Sequence, residues 1–408
     1  MVLRRPIPNL RHLRAFREVA HTRNISQASE RVHLSQPAIT QAIAKLESTL
    51  QTPLFERRKE GMFTTEPGAI VLARVERALG FLERGARDAV RLGQRKGGRG
   101  FERFDQLLTS AQLRALIAVS KAENFSLAAR RVGISQPSLH RAARDLERLS
   151  GITLFEKVSQ GIHLTPSADA LVQYVKLALA ELEQGFVEIE ELKGTDAARI
   201  VVGTLPLART FVLPRAINTL AGSRPDVQIS VIDGPYDDLL HGLRHGEIDL
   251  LIGALRDPVP IDDVVQEPLF SDQLAVTARA GHPLASKRKL TARLLATYPW
   301  VVPRHGTPTR EHFERMFPDG NAEINLIETS SLILVRGLLL ESDRLAVISA
   351  HQIRHERQEG LLVTLPVDMR GSNRPIGLTL RRDWQPTRSQ QLFLDAIRAA
   401  GDEVKASM

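Results

Sequence analysis

The sequence predicts a multidomain chain of two architectures: two small, mainly α-helical domains, each trailed by a long helix, followed by a larger α/β domain. Three observations lead there. Residues 13–65 align with residues 113–165 without a gap, and 20 of the 53 positions are identical, so one domain occurs twice. Residues 1–100 hold 19 Lys+Arg against 9 Asp+Glu, whereas residues 101–195 hold 11 against 12 and residues 196–408 hold 25 against 26. From Arg199 onward the apolar spacing changes from a helical period to short runs alternating with helices. A length of 408 residues, 43% of them hydrophobic, suffices for several packed cores.

Each repeat reads as three short helices and a hairpin. In the first, Leu13, Phe16, Val19 and Ala20 recur at helical spacing. Ser26 suits an N-cap for a second helix through Val32. After His33-Leu34, Ser35 caps a third helix with Pro37 in its first turn, where a missing N–H costs little. Ile39, Ile43, Leu46 and Leu50 share one face of that helix, and Gln36, Thr40, Gln41 and Lys45 share the other. The second repeat sends Leu139, Ala143, Leu146 and Leu149 inward, and Gln136, His140, Arg141 and Arg144 outward.

Two short helices, a tight turn and a polar face on the second helix make a helix-turn-helix, whose second helix can enter a major groove and reach base edges. Leu54 to Thr65 then reads as a β-hairpin wing, with Arg57, Arg58 and Lys59 placed to pair with phosphates. The second wing, with Lys157-Val158-Ser159-Gln160, is less basic. The +10 balance of the first hundred residues fits a polyanion partner, because clustered cations displace counterions from phosphates.

The long stretches Ala69–Leu92 and Ala168–Leu192 carry apolar stripes that call for a partner helix, in a second chain or in the same one. The expected boundaries are 8–68 and 106–167 for the two winged domains, 69–105 for a linker helix and basic tether, 168–195 for a second linker helix that serves dimerisation, and 196–402 for the α/β domain. In that last part, Ile200–Gly203, Val227–Ile232 and Ile248–Gly253 read as strands of an open parallel sheet, with helices at Leu207–Ala221 and Tyr236–His245 between them. Leu274–Ala278, Trp300–Val302, Ile324–Glu328 and Leu345–Ile348 read as further strands, and Thr309–Met316 and Ser331–Glu341 as helices. Gly377–Leu380 is expected to return to the first sheet, and Pro386–Ala400 to close the chain as a helix.

Several chemistries are set aside. The chain has no cysteine, which excludes disulfides, thiolate metal ligands and thiol nucleophiles. No Gly-x-Ser-x-Gly elbow, phosphate-binding loop or dinucleotide fingerprint is present, and His351 and His355 lack the glutamate and third ligand of a zinc site. No enzyme activity, metal or cofactor is expected. The richest apolar run, Leu332–Leu340, is interrupted by Arg336 and falls short of the ~20 residues of a membrane span. Residues 1–6 lack the apolar stretch of a secretory signal. The expectation is a cytoplasmic protein without a membrane partner.

Leu13…Phe16…Val19, Ser26…Ala28, Ser35-Gln36-Pro37-Ala38-Ile39, Leu46-Glu47, Leu54-Phe55-Glu56-Arg57 and Thr65…Gly68 resemble the winged helix-turn-helix of LysR-type transcriptional regulators. Phe125-Ser126-Leu127-Ala128-Ala129, Ser135-Gln136-Pro137-Ser138 and Leu154-Phe155-Glu156 resemble it again. Members ordinarily carry one such domain, so a second copy is a departure. The resemblance implies a linker helix that pairs antiparallel in a dimer. It places a small hydroxyl residue and then Arg in the recognition helix; the first copy has Thr40-Gln41 and the second His140-Arg141.

The C-terminal half resembles the effector domain of the same family, which is two-lobed and built like a periplasmic solute-binding protein. Val202-Gly203, Leu213-Pro214, Gly246-Glu247-Ile248-Asp249-Leu250 and Gly281-His282-Pro283-Leu284 carry this likeness. Arg304…Gly306-Thr307…Arg310…Phe313 and Glu328-Thr329-Ser330 are similar to the galactose-binding-protein-regulator subgroup. In such folds a ligand lies between lobes at strand carboxyl ends and helix N-termini, which favour anions. The candidate loops are Thr204-Leu205, Arg304 to Thr307, and Thr329-Ser330. A small carboxylate or acidic sugar derivative is the expected effector class.

The resulting reading is a regulator that binds double-stranded promoter DNA and a small-molecule effector. Its expected partners are further copies of itself, as a homodimer or homotetramer, and RNA polymerase. A solute-binding or enzymatic α/β protein with helical assembly modules is the competing reading.

Overall fold

Asn9 accepts a hydrogen bond from the backbone of Arg11 and opens α1 (Leu10–Thr22), whose Leu10, Leu13, Phe16 and Val19 are buried. The computed structural model describes residues 7–93, 100–101, 103–122, 124–158, 161–195, 198–317 and 324–406. Most of the basic tether, residues 94–99, and Ser159-Gln160 of the second wing lie outside the described residues.

α2 (Ile25–Val32) is capped by Asn24, which accepts from the amides of Ser26 and Gln27. Ser26 is therefore not the cap that the sequence suggested: it lies in the first turn, and its own amide bonds the Asn24 side chain. α3 (Gln36–Leu50) begins as expected at Ser35, with Ile39, Ile43, Leu46 and Leu50 buried. β1 (Phe55–Arg58) and β2 (Gly61–Thr64) pair antiparallel as the wing. Thr65 then caps α4 (Glu66–Leu92).

A second series of elements follows in the same order. After a single turn at Phe104–Leu107 come α5 (Ser110–Ser120), α6 (Phe125–Val132) and α7 (Gln136–Ser150). The hairpin β3 (Phe155–Val158) and β4 (Gly161–Leu164) leads to α8 (Pro166–Leu192), capped by Thr165. One continuous apolar core spans both series.

α4 and α8 pack against each other along their length within the one chain. The apolar stripes that called for a partner helix thus cover one another. Within the first stretch Ala73 is exposed, and Arg74 is buried beside it.

The C-terminal part holds two five-stranded sheets. The first has the order β6-β5-β7-β14-β8, built from β5 (Arg199–Thr204), β6 (Gln228–Asp233), β7 (Leu250–Ala254), β8 (Val264–Asp272) and β14 (Arg374–Arg381). The second has the order β11-β10-β12-β9-β13, built from β9 (Leu274–Arg279), β10 (Trp300–Val302), β11 (Leu326–Glu328), β12 (Leu345–Ser349) and β13 (Leu362–Thr364). Helices α9 (Val212–Ser223), α10 (Tyr236–Arg244) and α15 (Arg388–Ala406) belong to the first lobe. Helices α11 (Ala292–Ala296), α12 (Pro308–Arg315), α13 (Leu332–Leu340) and α14 (Arg354–Gln358) belong to the second.

Three expectations need correction here. The first sheet is mixed, because the returning β14 runs antiparallel to β7 and β8. The helix after β5 starts at Val212, since Pro206–Arg209 form a separate tight turn. β8 and β13 escaped the sequence reading: β8 contains Pro268 and the two acids Glu267 and Asp272, and β13 is three residues long.

Candidate functional site

In the first winged domain, Gln36, Thr40, Gln41 and Lys45 are all exposed on α3. Thr40 donates its hydroxyl to the Gln36 carbonyl at 3.1 Å, and Gln36 Nε2 donates to Ser26 Oγ at 3.2 Å. Gln36, Thr40 and Gln41 line a single concavity with Arg23, Ser26 and Arg57, so the recognition helix and the wing address one space. Arg57, Arg58 and Lys59 are exposed on the wing. The Arg58 guanidinium contacts Glu56 and stands 5.0 Å from the Phe63 ring centre, with Arg23 on the same ring at 4.8 Å.

The second domain repeats this with different chemistry. Gln136, His140, Arg141 and Arg144 are exposed on α7. Ser126 donates to Gln136 Oε1 at 2.8 Å, as the counterpart of the Ser26–Gln36 contact. His140 meets the Phe125 ring edge-on at 4.9 Å, and Arg144 is engaged by Glu147 at 2.6 Å. Lys157 is exposed on the wing. The wing of each domain is tied to its recognition helix by a glutamate: Glu47 Oε1 accepts from the amides of Leu54 and Phe55, and Glu147 Oε1 from those of Leu154 and Phe155.

In the C-terminal part, the carboxyl ends of the parallel strands, β5 and β7 in one lobe and β10, β11 and β12 in the other, lie on the side of the two segments that cross between the sheets. Asp272, at the first crossing, is fully buried; it accepts from Ser349 at the end of β12 and from Arg374 at 3.3 Å. Arg374, at the second crossing, also donates to Thr309 Oγ1 at 3.1 Å. In the first lobe, the Leu255 amide at the end of β7 donates to the Pro375 carbonyl at 2.9 Å. Burial pushes the Asp272 carboxyl above the ordinary carboxylate value in spite of Ser349 and Arg374. Burial likewise lowers the His351 imidazole, although Asp272 works against this. The lobes also approach where the Arg354 guanidinium lies 5.6 Å from the Phe211 ring.

The candidate loops sit at these strand ends. Thr204 is fully buried, with its hydroxyl donating to the Leu205 carbonyl at 3.2 Å. Arg304 is exposed, and Thr307 accepts from the Arg310 amide as the cap of α12. Thr329 donates its amide to the Val302 carbonyl at 2.9 Å, which places the Arg304 and Thr329 loops side by side in the second lobe. Ser331, not Ser330, caps α13, and Ser330 is exposed.

The sequence pattern described as "LysR substrate binding domain" matches residues 193–402. That described as "Bacterial regulatory helix-turn-helix protein, lysR family" matches residues 10–69 and again 110–169. The HTH-type transcriptional regulator GalR of Pseudomonas putida is 34% identical over 377 residues, covering 92% of this chain and 93% of GalR. The chain belongs to the LysR family. The regulator PcaQ of Agrobacterium fabrum is 27% identical over 304 residues, covering 74% of this chain and 97% of PcaQ. A full-length OxyR variant from Pseudomonas aeruginosa shares the fold, with a TM-score of 0.53 at 24% identity over 71% of this chain and 97% of that one. This LysR-type chain is thus a ligand-responsive, DNA-binding transcriptional regulator, and its relatives are named as regulators rather than enzymes. Among the described residues no helix is long and apolar enough to cross a membrane.

Sequence reasoning missed several residues at these candidate sites. Arg23 and Asn24 join the first concave face because α2 starts two residues early. Arg310 is buried and holds the second-lobe loops together, donating to the Pro303 carbonyl at 3.3 Å and lying 3.5 Å from Glu328. Its spacing of four from Glu314, to which it bonds at 2.8 Å, was the available signal. Asp272 and Arg374 lie 102 positions apart, and no local pattern links them.

Proposed function

We propose that both winged domains contact promoter DNA and that a small anionic metabolite binds between the lobes of the effector domain. The observation that carries the first half is the exposure of Thr40, Gln41, His140 and Arg141 on helices built and capped alike. The first domain, through Arg57, Arg58 and Lys59, supplies most of the phosphate affinity. The second supplies base readout through Arg141, whose fork suits guanine. Gln36, Lys45, Gln136, Arg144 and Lys157 border these contacts.

The effector is a small carboxylate or acidic sugar derivative, held by Leu205, Arg304, Thr307, Thr329 and Ser330 over the buried Thr204. The exposed Arg304 and the amides at the start of α12 and α13 support an anion there. Ligand acts by favouring one of two arrangements of the protein on DNA. Two or four chains assemble through the effector half; Val231 and Ile232, 43% and 41% exposed on the edge strand β6, support this. Transcription then responds through RNA polymerase. A mobility-shift assay of the full chain on the duplex upstream of its own gene, at two salt concentrations, tests the reading. A retarded complex that weakens with salt is expected, and no preference for that duplex over a random one would contradict it.

A further inference from the structure

The α4–α8 contact has an approximate two-fold symmetry that can be read in residue numbers, because the repeat offset is one hundred. Arg74 of α4 bonds Glu181 and Glu188 of α8; Tyr174 of α8 sets its ring at a tilt to Phe81, 6.4 Å between centres, and bonds Asp88 of α4 at 3.0 Å. A Cβ placed on Gly185 would stand 3.2 Å from that of Arg74, and one placed on Gly85 only 2.7 Å from that of Tyr174. Each contact has its mate: 74 with 181, 185 and 188, and 174 with 81, 85 and 88. The relation extends outward to the winged domains. Lys193, just past α8, donates to the Leu50 carbonyl at the end of α3 at 2.6 Å. Gly93, just past α4, lies against Ile152, just past α7. Residue i meeting j while the mate of j meets the mate of i is the mark of an isologous, dimer-like interface, here made inside one polypeptide.

The two ends of this interface differ in chemistry. At one end Arg74 is buried and grips Glu188 with two hydrogen bonds of 2.8 and 2.5 Å, Glu181 at 2.9 Å and Gln184 at 2.9 Å, while Arg77 holds the second Glu181 oxygen at 2.8 Å. Burial opposes the charge on Arg74, but Glu188 and Glu181 outweigh it and raise its pKa above the ordinary arginine value. At the other end the same positions hold Tyr174, Phe81 and Asp88, with a tilted ring pair and one hydroxyl bond. Two α8 helices paired in this register would bury Glu181 against Tyr174 without its arginine. Two α4 helices would set Arg74 against Phe81 and Asp88, leaving it one carboxylate in place of Glu181, Glu188 and Gln184. Each homotypic pair leaves a buried charge short of its partners, a strongly unfavourable state, whereas α4 with α8 satisfies both ends.

We infer that one chain is a complete two-headed DNA-reading unit, joined by an obligatory α4–α8 pairing, and that its substrate is a duplex with two adjacent, inverted half-sites of unlike sequence. Heads related by an approximate two-fold axis read inverted half-sites. Unlike recognition residues, Thr40-Gln41 and His140-Arg141, make those half-sites different. The inference rests on the reading that both winged domains contact DNA, but the pairing itself can be tested without DNA.

The chain has no native cysteine, so a Gly85→Cys/Tyr174→Cys variant carries a single possible intrachain disulfide, with Cβ atoms close enough to bridge after a shift of about 1 Å. Arg74→Cys/Gly185→Cys repeats the test from the other end. Oxidation of the full-length variants, folded by melting temperature, should give a cross-linked single chain on a denaturing gel. Covalent dimers, or no cross-link in either variant, would overturn the pairing. Selection by the full-length protein from randomised duplexes should then recover adjacent half-sites that are inverted and unlike. Recovery of identical half-sites would overturn the second part. Failure to enrich any sequence would defeat the DNA-binding reading itself, and the cross-link would still decide the pairing.

Discussion

Glu47 Oε1 accepts the backbone N–H of Leu54 at 2.8 Å, across the turn between the recognition helix and the wing. The same oxygen takes the Phe55 amide, so one carboxylate fixes the angle at which the wing meets α3. Glu47→Ala strands two partly buried donors. It should lower thermal stability by about 1–3 kcal/mol and weaken DNA binding through a loosened wing, as read by melting and by anisotropy titration. Glu147→Ala should do the same in the second domain. Unchanged melting in both would show that the wings are held by the hairpins alone.

Arg141→Ala should cost about 1–3 kcal/mol on the preferred duplex and much less on a random one. Arg57→Ala/Arg58→Ala should instead weaken both duplexes alike and flatten the slope of log affinity against log salt by about 0.9 for each phosphate that is no longer neutralised. Equal losses on both duplexes for Arg141→Ala would remove it from base readout.

Isothermal titration with a panel of small carboxylates and acidic sugars should find one binder. Its affinity should fall about tenfold or more in Arg304→Ala, through loss of a charge-assisted hydrogen bond. Ser330→Ala should weaken it by less. Binding that both substitutions leave untouched would move the site away from the strand ends of the second lobe.

His282 is nearly buried, its Nδ1 accepting from the Leu284 amide at 3.0 Å and its Nε2 3.2 Å from the Asp343 carbonyl. Burial lowers its pKa below the ordinary value of 6.5, although Asp343 works against the shift. A histidine so depressed stabilises the fold fully above its unfolded pKa and progressively less as pH falls towards the folded one. Denaturant titrations should show stability falling below roughly pH 6.5, less steeply in His282→Asn, which keeps an acceptor for Leu284. Identical pH profiles would assign the loss to other groups.

Much of this was legible in the sequence because it is local. Ser35 and Ser135 open their helices three residues from the amides they bond, and the polar faces of α3 and α7 follow from helical period. What was illegible depends on distance or on charge in an unexpected place. Nothing local marks Arg74 for burial, and only the acidic face of α8, more than a hundred residues away, makes that burial favourable. The linker stripes alone therefore do not say which helix covers them. In the effector half, Asp272 and Arg374 meet only because β14 returns to the first sheet after the second lobe is complete. The loops carrying Arg304 and Thr329 were visible as strand-to-helix junctions, but the buried Arg310 between them was not.

The central claim, that both winged domains hold DNA, is tested most directly by footprinting the full chain on its upstream duplex with head-specific variants. Wild-type protein should protect two adjacent major-groove segments about one helical turn apart. Thr40→Ala/Gln41→Ala should erase one segment and His140→Ala/Arg141→Ala the other. A footprint that the second variant leaves intact, or that either variant abolishes as a whole, would contradict the account.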